Sequence, residues 1–389
     1  MGKLAPTVSI LITTYNRSRL LRRAVNSVLM QDYIDFELVV IDDCSSDDTR
    51  EVIASIDDPR IRYIRNETNV GATQGDRVHM RRFVYELMRG QYFAYLCDDD
   101  YWLLPDLLSR QVETFQSHGG IVMVMGGQLS YFLTTPDSYL DHSPDDTLTF
   151  TLENISDYFD LNTLTPKTKH VYFMEGPGKD KSLFTKKWMT SEEFLEEFSE
   201  EPAGKNIIGG AMLYSRDLFI KAGGFAAPVG SQWQAGYELK MGPACYGGTV
   251  YFNEPSIVTE IRASNASFRG TQVEHFLDSI LSVEVAFAVP LASRELSTKR
   301  RFLRYIRAKT VRNLSRAYLR NTMAIRSGGA LTMCSDENMA DPVTYRQVGA
   351  ALFRNNALHL IRGIDLKLMI GSAVPDWLFE ILYSKRSAI

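Results

Sequence analysis

The chain has 389 residues, more than one average domain and enough for a large α/β domain with an extension. Apolar residues make up 45% and charged residues 23%, which excludes a disordered or collagen-like chain. A net charge of −4 argues against nucleic acid as a partner.

The first residues lack the apolar core of a signal peptide, and no run approaches the roughly 18 apolar residues of a membrane span. Cys44, Cys97, Cys245 and Cys334 are scattered, with neither a C-x-x-C pair nor a zinc spacing. Reduced thiols and a cytoplasmic location are therefore expected, with contact at the inner face of a membrane left open.

Strand and helix signals then alternate. Val8 to Thr13 reads as a strand. Leu20, Leu21, Ala24, Val25, Val28 and Leu29 follow at helical spacing. Glu37 to Ile41 is a second strand running into Asp42-Asp43, and Ser45, Ser46 and Asp47 offer caps for a helix carrying Val52, Ile53 and Ile56. Ile61 to Ile64 is a third strand. Arg77 to Met88 reads as a helix with Val78, Phe83, Val84 and Leu87 as its apolar face. Tyr92 to Leu96 is a fourth strand, ending in Asp98-Asp99-Asp100. This order predicts a doubly wound, mostly parallel sheet, whose ligands bind beyond the carboxyl ends of the strands. The signatures Thr13 to Asn16, Asp42-Asp43 and Asp98 to Asp100 should converge there.

Each signature suggests chemistry. Alternation along an extended backbone would aim Asp98 and Asp100 to one side, as two hard oxygen ligands for Mg²⁺ or Mn²⁺. The bland alternative is a solvated acidic turn, and the position at the end of a buried strand favours the ligand reading. Asp42-Asp43 would accept hydrogen bonds from a base or ribose, or else cap the next helix. Tyr15 would stack on a base and Arg17 would reach phosphate, or the segment is an ordinary turn. There is no G-x-G-x-x-G, which argues against a dehydrogenase.

These blocks, joined by Asn69-Val-Gly71, Pro105-Asp106, Gly209-Gly210-Ala211, Ala222-Gly-Gly-Phe225, Glu238-Leu239 and Asn253-Glu254-Pro255, resemble the family 2 glycosyltransferases of GT-A fold over roughly residues 5 to 265. The resemblance implies a nucleoside-diphosphate-sugar donor, UDP-sugars foremost, a divalent metal and inversion at the anomeric carbon. By motif match Thr13 and Tyr15 would pack on the nucleotide, Asp43 on the base and Arg77 near base or phosphate. Asp98 and Asp99 would face the nucleotide-sugar, and Asp100 with Asp98 would hold the metal. Gly209 and Gly210 would allow close approach on the acceptor side, and Trp233 would line an acceptor pocket or pack in the core.

Two positions depart from the family pattern. Relatives carry an acidic pair, the source of the general base, where this chain has Ala235-Gly236. Glu238 is the nearest carboxylate, either a substitute base or a structural acid. An Arg-x-His that helps hold metal or diphosphate is here Arg262-Ala263-Ser264, with His275 downstream. A degenerate relative that binds without transfer is therefore a rival reading. A nucleotidyltransferase is a weaker one, since its phosphate loop is missing.

The expected organisation is a GT-A domain over 1–272 and a helical region over 273–389. The domain divides into a nucleotide-binding half 1–129, an insertion 130–205 and an acceptor-side half 206–272. Between Arg294 and Arg326 eleven Lys or Arg face one acid, Glu295, with Phe302, Ile306, Leu314 and Tyr318 on one face. A last amphipathic helix is expected after Pro375. These basic helices are either a solvated face or a contact for anionic lipid, which would suit a lipid-linked rather than a free saccharide acceptor.

Overall fold

A computed structural model of the chain describes residues 5–132, 156, 159–160, 165–167, 171–174, 185–200, 211–225, 236–261 and 272–326. The first half follows β1 (Val8–Thr14), α1 (Ser18–Leu29), β2 (Phe36–Asp42), α2 (Thr49–Ala54), β3 (Ile61–Arg65), α3 (Ala72–Arg82) and β4 (Tyr92–Cys97). After a short β5 (Asp100–Trp102) and α4 (Leu107–Ser117) come β6 (Ile121–Phe132) and four strands of the insertion. These are β7 (Phe159–Asp160), β8 (Thr165–Pro166), β9 (Val171–Met174) and β10 (Thr185–Met189). Then follow α5 (Ser191–Glu200), β11 (Met212–Ser215), α6 (Arg216–Lys221), α7 (Gly236–Ala244) and β12 (Gly248–Ile261). Two long helices, α8 (Gln272–Ala292) and α9 (Arg300–Arg326), close the described chain.

The main sheet runs β10-β12-β6-β11-β4-β1-β2-β3. β3, β2, β1 and β4 are parallel, β11 is antiparallel to both its neighbours, and β12 returns parallel to β6. Every residue of β1 and β2 is buried, as a strand covered on both faces requires. Ile10 and Ile12 pack in one layer with Leu21, Val25 and Val28 of α1 and Leu108 and Val112 of α4. Leu11 packs in the opposite layer with Phe83, Val84 and Phe93. Burying one such aliphatic side chain is worth about 1.5–3 kcal/mol, so these central strands fix the register of the rest.

Three details differ from the sequence expectations. α3 starts earlier, at Ala72, and Phe83–Leu87 winds as a π turn. Met80, Phe83 and Val84 are buried, while Val78 is exposed, because it lies two positions, or about 200°, round the helix from Met80. At α2, neither Ser45 nor Ser46 caps the helix. Asp47 accepts from the Thr49 N–H (3.1 Å) and from the Ser18 N–H at the start of α1 (3.1 Å), tying two helix starts together. In α9 the buried positions among those described are Leu303, Ile306, Thr310, Val311, Leu314 and Ser315, with Phe302 only half-buried.

The insertion and the C-terminal helices are integrated with the sheet. β9 pairs with β6, and β10 forms the edge beside β12. α5 begins with a capping box, in which the Thr190 N–H donates to Glu193 Oε2 (2.8 Å) and the Glu193 N–H to Thr190 Oγ1 (3.2 Å). Phe276, Ile280, Val283 and Phe287 of α8 and Leu303, Ile306 and Leu314 of α9 share one core with Leu11, Val39 and Phe93. The first two helices beyond residue 272 thus belong to the α/β body. No helix among the described residues is long and apolar enough to cross a membrane. The expected helix after Pro375 lies outside the described residues.

Candidate active site

β2, β1 and β4 lie side by side and parallel, so their carboxyl ends lie together at one edge of the sheet, where such folds bind ligands. Three loops meet there. The first, after β1, turns at Asn16, which adopts a left-handed backbone (φ 52°) that asparagine tolerates. Asn16 Oδ1 accepts from the Ser46 N–H (2.7 Å), and the Asn16 N–H donates to Ser45 Oγ (2.9 Å). This locks the first loop to the second, after β2, where Cys44 is also left-handed (φ 68°). The preceding Tyr15 is left 47% exposed at the mouth.

The two acids of the second loop divide in role. Asp42 is fully buried, accepting from Tyr63 Oη and from the Ser45 N–H (2.8 Å). Asp43 anchors the segment 66–71, accepting from Asn66 Nδ2 (2.9 Å) and from the Val70 (3.0 Å) and Gly71 (3.3 Å) N–H groups. The carboxylate expected at the base therefore shapes the loop beside it.

The third loop is the acidic one. Residues 98 and 99 form a turn, so the alternation of an extended strand does not carry across them. Asp98 turns toward β1, accepting from Thr14 Oγ1 (2.9 Å) and Arg17 Nη1 (3.0 Å). Asp99 accepts from the same Arg17 Nη1 at 2.8 Å, and its carbonyl accepts from Arg23 Nη2 (3.2 Å). Asp100 opens β5 and pairs with Thr259 of β12, which draws β12 against the turn. Cys97, Asp99 and Asp100 offer ligand atoms within 4.8 Å of one another. Asp98 thus stands outside the group best placed to share one ion, and Asp99 stands inside it. Arg17, expected at phosphate, pairs here with both acids of the turn.

The electrostatics of the turn fit an absent cation. Burial, then the charge of Asp99, pushes the Asp98 carboxyl up to about 7 against the pull of Arg17. The same two causes hold the Asp100 carboxyl well above the ordinary range, eased by the Thr259 hydroxyl. Asp100 is 1% exposed, and its Oδ1 has no hydrogen-bond partner among the described residues. A buried carboxylate oxygen left unsatisfied beside another carboxylate is what a cation would complete.

Arg77 and Glu238, expected respectively near the nucleotide and at the reacting hydroxyl, meet each other. Arg77 Nη1 donates to Glu238 Oε1 (2.8 Å) and Oε2 (2.7 Å), joining α3 to α7 across 161 residues. The guanidinium also lies 5.3 Å from the ring centroid of Phe225. Thr13 Oγ1 shares a hydrogen bond with Tyr95 Oη (3.2 Å), behind the crevice. Gly209, Gly210, Trp233 and the Arg262-Ala263-Ser264 departure lie outside the described residues, as does the side chain of His275. Thr14 belongs to the Thr13 to Asn16 signature that the sequence brought to this place, and it meets Asp98 there. The sequence reading missed Arg23 and Cys97 as parts of the turn; Cys97 read only as a scattered thiol.

Residues 9–223, more than half of the chain, match the family described as Glycosyl transferase family 2. The UDP-Glc:alpha-D-GlcNAc-diphosphoundecaprenol beta-1,3-glucosyltransferase WfaP of Escherichia coli is 38% identical over 110 residues, 28% of this chain and 41% of that protein. The GalNAc(5)-diNAcBac-PP-undecaprenol beta-1,3-glucosyltransferase of Campylobacter jejuni is 33% identical over 128 residues, 32% of this chain and 38% of that protein. The chain thus spans well under half the length of these two relatives. Residues 1–349 of S. aureus TarS, solved in complex with UDP-GlcNAc, superpose with a TM-score of 0.54 at 13% identity, covering 98% of this chain and 87% of that one. At that identity the likeness concerns the fold, which is the GT-A arrangement expected from the sequence.

Proposed function

The chain belongs to glycosyl transferase family 2, and from that premise we propose that it transfers a sugar from a nucleoside-diphosphate-sugar, a UDP-sugar first, to a saccharide or lipid-linked acceptor in polysaccharide assembly. The observation that carries the proposal is the buried Asp100 carboxylate, whose Oδ1 has no hydrogen-bond partner among the described residues, in an acidic turn at the carboxyl ends of β1, β2 and β4. The half-exposed Tyr15 ring stacks on the base, Thr13 lies behind it, and Asp43 holds the 66–71 loop against its edge. Asp98, fixed by Thr14 and Arg17, faces the ribose. Asp99 and Asp100 hold a divalent metal, Mn²⁺ or Mg²⁺. When bound, that ion neutralises charge growing on the departing diphosphate.

Inversion requires an acceptor hydroxyl to approach from the face opposite the diphosphate, with a base to take its proton. Glu238 is committed to Arg77 by both oxygens, and taking up a proton would break a buried ion pair. In this proposal Glu238 is the acid that positions Arg77, and Arg77 lies toward the nucleotide. Gly209, Gly210 and Trp233 remain assigned to the acceptor side. Arg301, Arg304 and Arg312 form an exposed stripe on α9 with the half-exposed Tyr305. That stripe supports contact with anionic lipid at roughly 1 kcal/mol per basic residue near the surface.

The test is sugar transfer from a panel of UDP-sugars to undecaprenyl-diphosphate-linked saccharides in vesicles. Nucleotide release that needs both vesicle-borne acceptor and metal supports the proposal. Donor binding without transfer to any acceptor would favour the second reading, a binder that does not transfer, which the commitment of Glu238 to Arg77 supports.

A further inference from the structure

The metal-binding turn contains one group that an all-oxygen site would not. Cys97 ends β4, its Sγ within 4.8 Å of the ligand oxygens of Asp99 and Asp100. Two ligands of one ion stand at most the sum of their bond lengths apart. With metal–sulfur near 2.3 Å and metal–oxygen near 2.1 Å, that sum is about 4.4 Å. Three ligands cannot all stand opposite one another, so the groups must close further than that sum, to roughly 3–3.8 Å, to share an ion. The thiol is half-buried, not in a disulfide, and donates to Tyr95 Oη at 3.7 Å. A second observation points the same way. Asp100 is 1% exposed with Oδ1 partnerless among the described residues, so the cluster already holds one donor atom waiting for a cation.

We infer that Cys97 is a third protein ligand to the metal, and that it tunes the site toward ions that accept sulfur. The inference rests on the metal-assisted reading above and deepens it. Mg²⁺ demands near-ideal octahedral oxygen ligation and gains nothing from a thiolate. Mn²⁺ tolerates sulfur, and Co²⁺ and Zn²⁺ favour it. The site should thus rank Zn²⁺ and Co²⁺ above Mn²⁺, and Mn²⁺ above Mg²⁺, more steeply than an all-carboxylate turn. The thiol proton passes to solvent as the ion arrives.

The test uses cobalt as a spectroscopic probe. Co²⁺ is titrated into the chelator-stripped, full-length protein with UDP present. The wild type is expected to develop a sulfur-to-cobalt charge-transfer band in the near ultraviolet that saturates at equimolar metal. Cys97→Ser should retain the visible bands of bound Co²⁺ and lose the near-ultraviolet band, which separates Cys97 from Cys44, Cys245 and Cys334. Cys97→Asp should lower the preference for Mn²⁺ over Mg²⁺ in promoting UDP binding by roughly tenfold. Bound cobalt with no charge-transfer band in the wild type, or a band that survives in Cys97→Ser, overturns the inference. If no cation changes UDP binding in the wild type or in Cys97→Asp, the metal-assisted reading falls, and this inference with it.

Discussion

Replacing Glu238 by Gln separates two roles that a carboxylate in this position can have. Arg77 and Glu238 side chains are 13% and 5% exposed, and one guanidinium nitrogen contacts both carboxylate oxygens. Removing one member of such a pair leaves the other buried and uncompensated, a cost of about 3–5 kcal/mol. In a protein held by roughly 5–15 kcal/mol, that is a large part of the total. If Glu238 positions Arg77, then Glu238→Gln and Arg77→Met each lower the urea midpoint. The double variant recovers much of the loss, because no orphan charge remains. Activity should follow the same pattern, with both singles losing UDP-sugar turnover to a similar extent and the double losing no more than either. Stability comes from urea unfolding followed by circular dichroism, and turnover from nucleotide release. The reasoning is refuted if Glu238→Gln unfolds at the wild-type midpoint and loses kcat by on the order of 10²–10⁴, with Arg77→Met far less affected. That pattern belongs to a general base.

Three further outcomes are expected. In chelator, Asp98→Asn should be more stable than the wild type near pH 7 by roughly 2–4 kcal/mol. The folded Asp98 carboxyl sits near 7, above its unfolded value, so it costs stability as pH rises from about 4 toward 7. The advantage should vanish by pH 4 and reverse when Mn²⁺ and UDP are added, and an advantage independent of pH would contradict the assignment. Lys240 is 1% exposed, its Nζ has no hydrogen-bond partner among the described residues, and burial pushes its amine down to about 7. Its folded value lies below its unfolded one, so the penalty is complete below pH 7 and fades toward pH 10. Lys240→Met should therefore stabilise by up to roughly 4 kcal/mol at pH 6 and by little at pH 10 in paired thermal scans. Gly223 holds φ +96°, and a Cβ there would stand 2.6 Å from Val289 Cγ2 on α8. Gly223→Ala should lower stability by about 2 kcal/mol, with unchanged stability contradicting the close approach of α6 to α8.

The strands and their order were legible because burial on both faces leaves continuous apolar runs. Val8 to Thr13 stops one residue short of the end of β1, and Glu37 to Ile41 falls one residue short at each end of β2. The crevice was legible for the same reason, since polar residues at parallel strand ends have one place to meet. Three things were hidden. Strand periodicity assigned Asp98 to the metal with Asp100, but a turn at residues 98 and 99 redirects Asp98 to Thr14 and Arg17. The pairing of Arg77 with Glu238 spans 161 residues, and nothing local in either segment signals it. β10 lies in a stretch whose sequence reads as polar insertion. Only its pairing with β12 and the buried Met189 make it part of the sheet.

The most direct test of the central claim is calorimetric titration of UDP into the wild type and Asp100→Ala, each with and without Mn²⁺. The account predicts binding that Mn²⁺ strengthens in the wild type and leaves unchanged in Asp100→Ala, where the partnerless carboxylate is gone. UDP binding of equal strength in all four conditions, or none in any, would contradict it.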